Sequence, residues 1–205
     1  LVRLQPTHVL FQASDVETDE ALVEVAGRHG WILQAWPLRT MGEVGEMLDD
    51  MPDLFSAAES AEQIRMRCLQ GSNDIRAAIK PATEKLDERV LIVSDGQPCL
   101  AWGESTYLGE MLESTGAVNV MGQTAWKTIS FEDIIRLDPD VILIVSETDS
   151  REPSTLDDLD VQATRDNRVH HLSHRYINLP GAHLATMADE IQSAVGQSAA
   201  GKQSF

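Results

Sequence analysis

The chain has 205 residues, 42% apolar, 24% charged and 5% aromatic, enough for one sizeable core or two small ones. Its 33 Asp and Glu outnumber 16 Lys and Arg to give a formal charge of −17, and such a surface repels phosphate backbones and anionic lipid, which argues against nucleic-acid and peripheral membrane binding. No apolar run approaches the ~20 residues that span a bilayer, and Cys68 and Cys99 have neither the density of a disulfide scaffold nor the spacing of a metal site.

Taken in chain order, residues 8–11 and 31–35 read as strands with a helix at 19–29 between them, and a second helix covers 40–50. From 56 to 80 the pattern changes: Ala61, Ile64, Cys68, Ile75 and Ile79 recur at helical spacing. The only turn signal there is Gly71, so residues 53–85 are expected to be mainly helix. Strands follow at 90–94, 118–120, 141–145 and 169–172, alternating with helices at 106–114, 130–137 and 183–195. Runs such as Val90-Leu-Ile-Val and Val141-Ile-Leu-Ile-Val suit parallel strands buried on both faces. The expected class is therefore α/β, with an N-terminal α/β portion at 1–52, a connecting long helix at 53–87 and a C-terminal α/β lobe at 88–205. The first residue is Leu1, and 1–12 lacks the basic start and long apolar stretch of a secretion signal, so targeting information is expected upstream.

Catalytic and metal templates fail on this sequence. Gly196-Gln-Ser-Ala-Ala-Gly201-Lys202 matches part of a phosphate-binding loop, but a helix precedes it and Gln203 stands where Ser or Thr is required. His170 and His171 are neighbours in a strand and point to opposite faces, which leaves His174 and His183 as single contacts. There is no Gly-x-Ser-x-Gly elbow and no cysteine in an electropositive setting. No catalytic residue and no metal ligand is assigned.

The connections after strands are richer. Ligands of open α/β sheets bind outside the carboxyl ends of the strands. Asp95, Gln97, Leu100 and Trp102 follow the strand at 90–94, Trp126 leads into the helix at 130, and His174, Tyr176 and Asn178 follow the last strand. Aromatic residues are scarce in this chain, and their concentration in connections points to an apolar surface for a large ligand. Trp102 and Trp126 are expected to share that surface with Tyr176, although each tryptophan could equally plug the edge of a core.

Four stretches carry a resemblance to a known family. Leu1-Val-Arg-Leu-Gln-Pro-Thr-His leads into the first strand, and a glycine-to-helix segment runs from Gly103 through Gly116 to Asn119-Val120. Trp126-Lys-Thr-Ile-Ser-Phe-Glu-Asp is followed by Asp138-Pro-Asp-Val-Ile, and Asn178-Leu-Pro-Gly-Ala-His183 closes the series. In this order, around a central helix, they resemble the substrate-binding proteins of ABC importers for vitamin B12, iron–siderophores and haem. That resemblance implies two α/β lobes with mainly parallel sheets joined by one long helix, the N-lobe incomplete here, and a ligand held between the lobes. It also implies a periplasmic or extracytoplasmic monomer that delivers its ligand to the transmembrane subunits of an ABC permease. Gln12, at the end of the first strand, stands where the family often has an aromatic or charged contact. His183 replaces an arginine of the closing motif. With only Arg151 and Arg175 near the loops, a bulky, largely uncharged corrinoid is favoured over an iron chelate, with no cofactor of the protein's own. The resemblance places Glu132 as the permease-docking acid of the C-lobe. In Ser130-Phe-Glu-Asp133 the reciprocal capping partner is Asp133, which frees Glu132 to point outward.

Two other readings compete with a binding protein. A chelatase-like, metal-handling α/β protein would need clustered His or carboxylate ligands, and an interaction module could keep the fold without the ligand.

Overall fold

The structure, a computed structural model, describes residues 2–13, 20–56, 59–96, 98–148 and 154–202. Its contacts divide the chain into two compact units, Leu1–Leu38 and Arg39–Phe205.

The smaller unit is a βαβ element. Strand β1 (His8–Gln12) and strand β2 (Ile32–Trp36) pair in parallel, His8 opposite Ile32 and Gln12 opposite Trp36. Helix α1 (Glu20–His29) connects them and stops where Gly30 takes a left-handed φ of 67°, which glycine adopts without steric cost.

The larger unit opens with two helices packed on each other, α2 (Met41–Leu54) and α3 (Ala61–Ala78). Thr40 and Glu43 form a capping box at the start of α2. The expected helix at 56–80 is thus shorter, beginning at Ala61 after a turn. Gly71 has a packing reason to sit inside it: an added Cβ would stand 3.0 Å from the Ala182 Cβ and 3.2 Å from a Leu48 methyl. Both α2 and α3 fall within the larger unit.

The sheet of this unit is built around β3 (Arg89–Ser94), which pairs in parallel with β7 (Val141–Ser146). Beyond β7 lies β8 (Val169–Ser173), also parallel. The opposite edge of β3 is shared: β5 (Val118–Asn119) pairs near its start, and β4 (Cys99–Trp102) runs antiparallel along its later half. Buried Asn119 joins these two, donating from Nδ2 to the Trp102 carbonyl at 3.0 Å. Strand β6 (Trp126–Ile129) then pairs antiparallel with β4 and gives the order β6-β4-β3-β7-β8.

Two segments read as ligand loops are therefore strands. Cys99–Trp102 and Trp126–Ile129 are only four residues each, and β6 buries Ile129 alone, so neither shows the alternation that marks a strand in sequence.

One sheet face packs Leu91, Val93, Ile142 and Ile144 against Ile134 of α5 (Phe131–Leu137), Leu156, Val161, and Ala163 of α6 (Gln162–Arg165). Each such fully buried branched side chain contributes roughly 1.5–3 kcal/mol relative to exposure. By alternation Val90, Ile92 and Leu143 face the other side. Helices α4 (Tyr107–Ser114) and α7 (Leu184–Lys202) touch each other and bury Leu108, Met111, Met187 and Ile191. No helix among the described residues is long and apolar enough to cross a membrane.

Candidate functional site

Parallel strands bring Ser94, Ser146 and Ser173 to one edge, the carboxyl edge of the sheet. Ser146 Oγ donates to the Thr148 carbonyl at 2.6 Å. Its 3.2 Å contact with Ser173 Oγ must then use the Ser173 proton, since a hydroxyl has one to give. This pins the ends of β7 and β8 together just before the chain leaves the sheet.

The turn after β8 is the most chemically endowed part of that edge. His174 N donates to the Ser146 carbonyl, and Ile177 N and Leu179 N close successive turns onto His174 and Tyr176. Rings of His174 and His183 stack with centroids 4.8 Å apart and planes 6° from parallel. Tyr176 lies edge-on to His174 at 6.0 Å, and the Arg175 guanidinium sits 5.3 Å from its ring centre. The backbone of Tyr176 engages both imidazoles: its N–H donates to His174 Nδ1 at 3.2 Å, and its carbonyl accepts from His183 Nε2 at 2.9 Å. Asn178 Nδ2 donates to Glu147 Oε1 at 2.9 Å, linking the turn to the end of β7. From below, buried Tyr107 of α4 donates its hydroxyl to the Ile177 carbonyl at 2.9 Å, and burial pushes that phenol up to about 12.

Among the residues picked from sequence, His174, Tyr176 and Asn178 are brought together here, and Tyr176 is 44% exposed. Asp95 is also at this edge of β3, where Ser154 Oγ donates to it at 2.8 Å. Exposed Leu100 lies beside it, its N–H bonded to Ser94 Oγ. Trp102 and Trp126 are directly opposite each other on β4 and β6, but Trp102 pairs with Ile92, back from the carboxyl edge. Because β4 runs antiparallel to β3, each step along it moves away from that edge. Trp102 is 2% exposed and its indole N–H has no partner, so it belongs to the interior, while Trp126 is 36% exposed. Gln12, in the smaller unit, donates to the Pro37 carbonyl. Gln97 and Arg151 lie outside the described residues.

Glu132 is exposed at the start of α5, and Asp133 is the reciprocal partner in its capping box. It borders a groove of about 310 Å³ lined by Pro98, Cys99, Ile129, Ser130 and Phe131.

Sequence reasoning missed Glu147 and Tyr107. Applying the strand-end rule to β7 would have found Glu147. Tyr107 gives no such signal, because its partner is 70 residues away. The edge as a whole offers ring faces and hydrogen bonds, and no three His, Cys, Asp or Glu converge on one point among the described residues.

The larger unit is a mainly parallel, helix-covered α/β sheet with a polar and aromatic cluster outside its strand ends, where open α/β sheets hold their ligands. The profile of the periplasmic binding protein family matches residues 39–170, which begins where the larger unit begins, and the chain belongs to that family. Over 199 residues it is 21% identical to an uncharacterized ABC transporter substrate-binding lipoprotein, YvrC, of Bacillus subtilis. The alignment covers 95% of this chain, which spans 63% of that protein's length. Solved structures that share the fold include the following two. The periplasmic vitamin B12 binding protein BtuF of Vibrio cholerae superposes with a TM-score of 0.71 at 13% identity, covering 95% of this chain and 76% of that one. An ABC-type Fe3+-hydroxamate transport system structure from Saccharomonospora viridis gives 0.70 at 19%, covering 95% and 70%.

Proposed function

We propose that this chain is the substrate-binding component of an ABC importer, acting outside the cytoplasm by binding rather than by catalysis, and that its ligand is a corrinoid or related metal chelate. The observation that carries the reading is the ring cluster of exposed Tyr176 with part-buried His174 and His183 at the carboxyl edge, in a chain of this family. Tyr176 supplies a broad face at low entropic cost, while Asn178, Asp95 and Leu100 extend the surface along the strand ends. Arg175 is the only described arginine in that turn, which favours a bulky, largely uncharged ligand over an anionic ferric chelate. In this reading residues 53–87 are the connecting segment of the full fold, 1–52 belong to its first lobe and 88–205 to its second. Trp126 is an auxiliary contact, and Glu132 with the groove beside it meets the permease.

Absorbance titration of the purified chain with cobinamide, cobalamin, haem and a ferric hydroxamate tests this. Saturable binding of a corrinoid in preference to the others is expected. Saturable binding of none of the four would refute the binding function.

A further inference from the structure

The turn after β8 fixes the protonation of two imidazoles. Because the Tyr176 N–H donates to His174 Nδ1, that nitrogen carries a lone pair, and the proton of the neutral ring sits on Nε2. The Tyr176 carbonyl can only accept, so His183 carries its proton on Nε2 and its lone pair on Nδ1. His174 Nε2 and His183 Nδ1 have no partner among the described residues, and neither is among the buried unpaired atoms. The rings stack 4.8 Å apart, so one donor and one acceptor are carried on two adjacent rings.

We propose that this pair recognises a carboxamide, which donates to His183 Nδ1 and accepts from His174 Nε2–H, and so selects a ligand bearing carboxamides over one bearing carboxylates. The inference rests on the binding-protein reading and names the group its site takes. A carboxamide nitrogen and oxygen each reach ~2.9 Å to a partner and together span two stacked rings. A carboxylate has only acceptors and would set its second oxygen against the Nδ1 lone pair. Exposed Arg175 attracts a carboxylate, but that attraction is screened by salt.

Acid weakens the preference. His183 can take a second proton, because its Nδ1 is free. Burial, foremost, and the neighbouring His174 hold His183 below the ordinary imidazole value, while its bond to the Tyr176 carbonyl opposes them. The other groups facing the pair are Arg175 and Tyr176 in the same turn, Glu147 through Asn178 from β7, and Tyr107 of α4 on the Ile177 carbonyl. The imidazoles are the side chains among these that ordinarily change charge between pH 5 and 8. Once protonated, His183 becomes a second donor, which suits a carboxylate and repels a carboxamide N–H.

The test is absorbance titration of the full chain with dicyanocobinamide and with dicyanocobyrinic acid, the same ring carrying carboxylates instead of carboxamides, at pH 8 and pH 5. About a tenfold preference for cobinamide is expected at pH 8, the worth of one hydrogen bond, shrinking at pH 5. His183→Phe keeps the stack and should bring the pH 8 preference close to one. His183→Gln keeps an acceptor that cannot be protonated, so it should retain the preference and lose its pH dependence. Equal binding of both rings at pH 8, or a preference unchanged by His183→Phe, overturns the inference alone. Failure of both rings to bind overturns the corrinoid reading together with it.

Discussion

A Tyr107→Phe substitution removes one hydroxyl and with it the bond from α4 to the turn that carries Tyr176. Tyr107 is 3% exposed, Ile177 is fully buried, and the hydroxyl reaches the Ile177 carbonyl at 2.9 Å. Losing the bond costs about 1 kcal/mol, and leaving a desolvated carbonyl unpaired adds to it, for a total of about 1.5–2.5 kcal/mol. Urea unfolding at pH 7 should show this as a lower midpoint with an unchanged slope. Burial gives the test a second arm, because the folded-state phenol is raised to about 12 while the unfolded one titrates near 10. A raised value makes the tyrosine's contribution complete below pH 10 and progressively lost as pH rises toward about 12. The gap between parent and variant should therefore hold from pH 7 to 10 and narrow above it. A difference under about 0.5 kcal/mol at pH 7 would refute the claim that this bond anchors the turn.

Other outcomes follow from the same structure. At Gly109 an added Cβ would lie 2.1 Å from the Gly103 carbonyl oxygen, so Gly109→Ala should destabilise by about 2–3 kcal/mol. At Gly196 in α7 nothing lies within 4 Å, so Gly196→Ala should stabilise by about 0.5–1 kcal/mol, and in urea unfolding a shift of the opposite sign at either glycine would contradict its assignment. The Glu110 carboxylate accepts from Met41 N at 2.6 Å at the start of α2, yet burial, its largest influence, holds its pKa above the usual value. Its contribution is therefore present below the unfolded value and lost as pH rises through the folded one, so Glu110→Gln should gain on the parent as pH rises above about 4. A stability difference that does not change with pH would count against that. Glu132→Ala should lower reconstituted ligand transport while leaving ligand affinity unchanged, and unaltered transport would remove Glu132 from the docking surface.

Much of this fold is legible in the sequence, for physical reasons. The apolar runs at 90–94 and 141–145 are unambiguous because β3 and β7 are covered on both faces. Helices α4 and α5 announce themselves through Thr106 and the Ser130–Asp133 capping box. Strands β4 and β6 do not, because they exist by pairing with β3 and with each other, and no local pattern records that. The error propagated to the site: taking 99–102 for a loop put Trp102 at the carboxyl edge, when the antiparallel course of β4 carries it into the interior. The position of His174, Tyr176 and Asn178 at the carboxyl edge is legible because they directly follow a strand recognisable by itself. Their supports, Tyr107 and Glu147, arrive from elements distant in sequence.

Hydrogen–deuterium exchange of the chain, with and without saturating cobinamide, most directly tests where the ligand binds. The account predicts slower exchange on binding at the amides of Tyr176, Ile177 and Leu179, with little change in β6. Protection confined to Trp126–Ile129, or unchanged exchange across residues 174–179 at saturation, would contradict it.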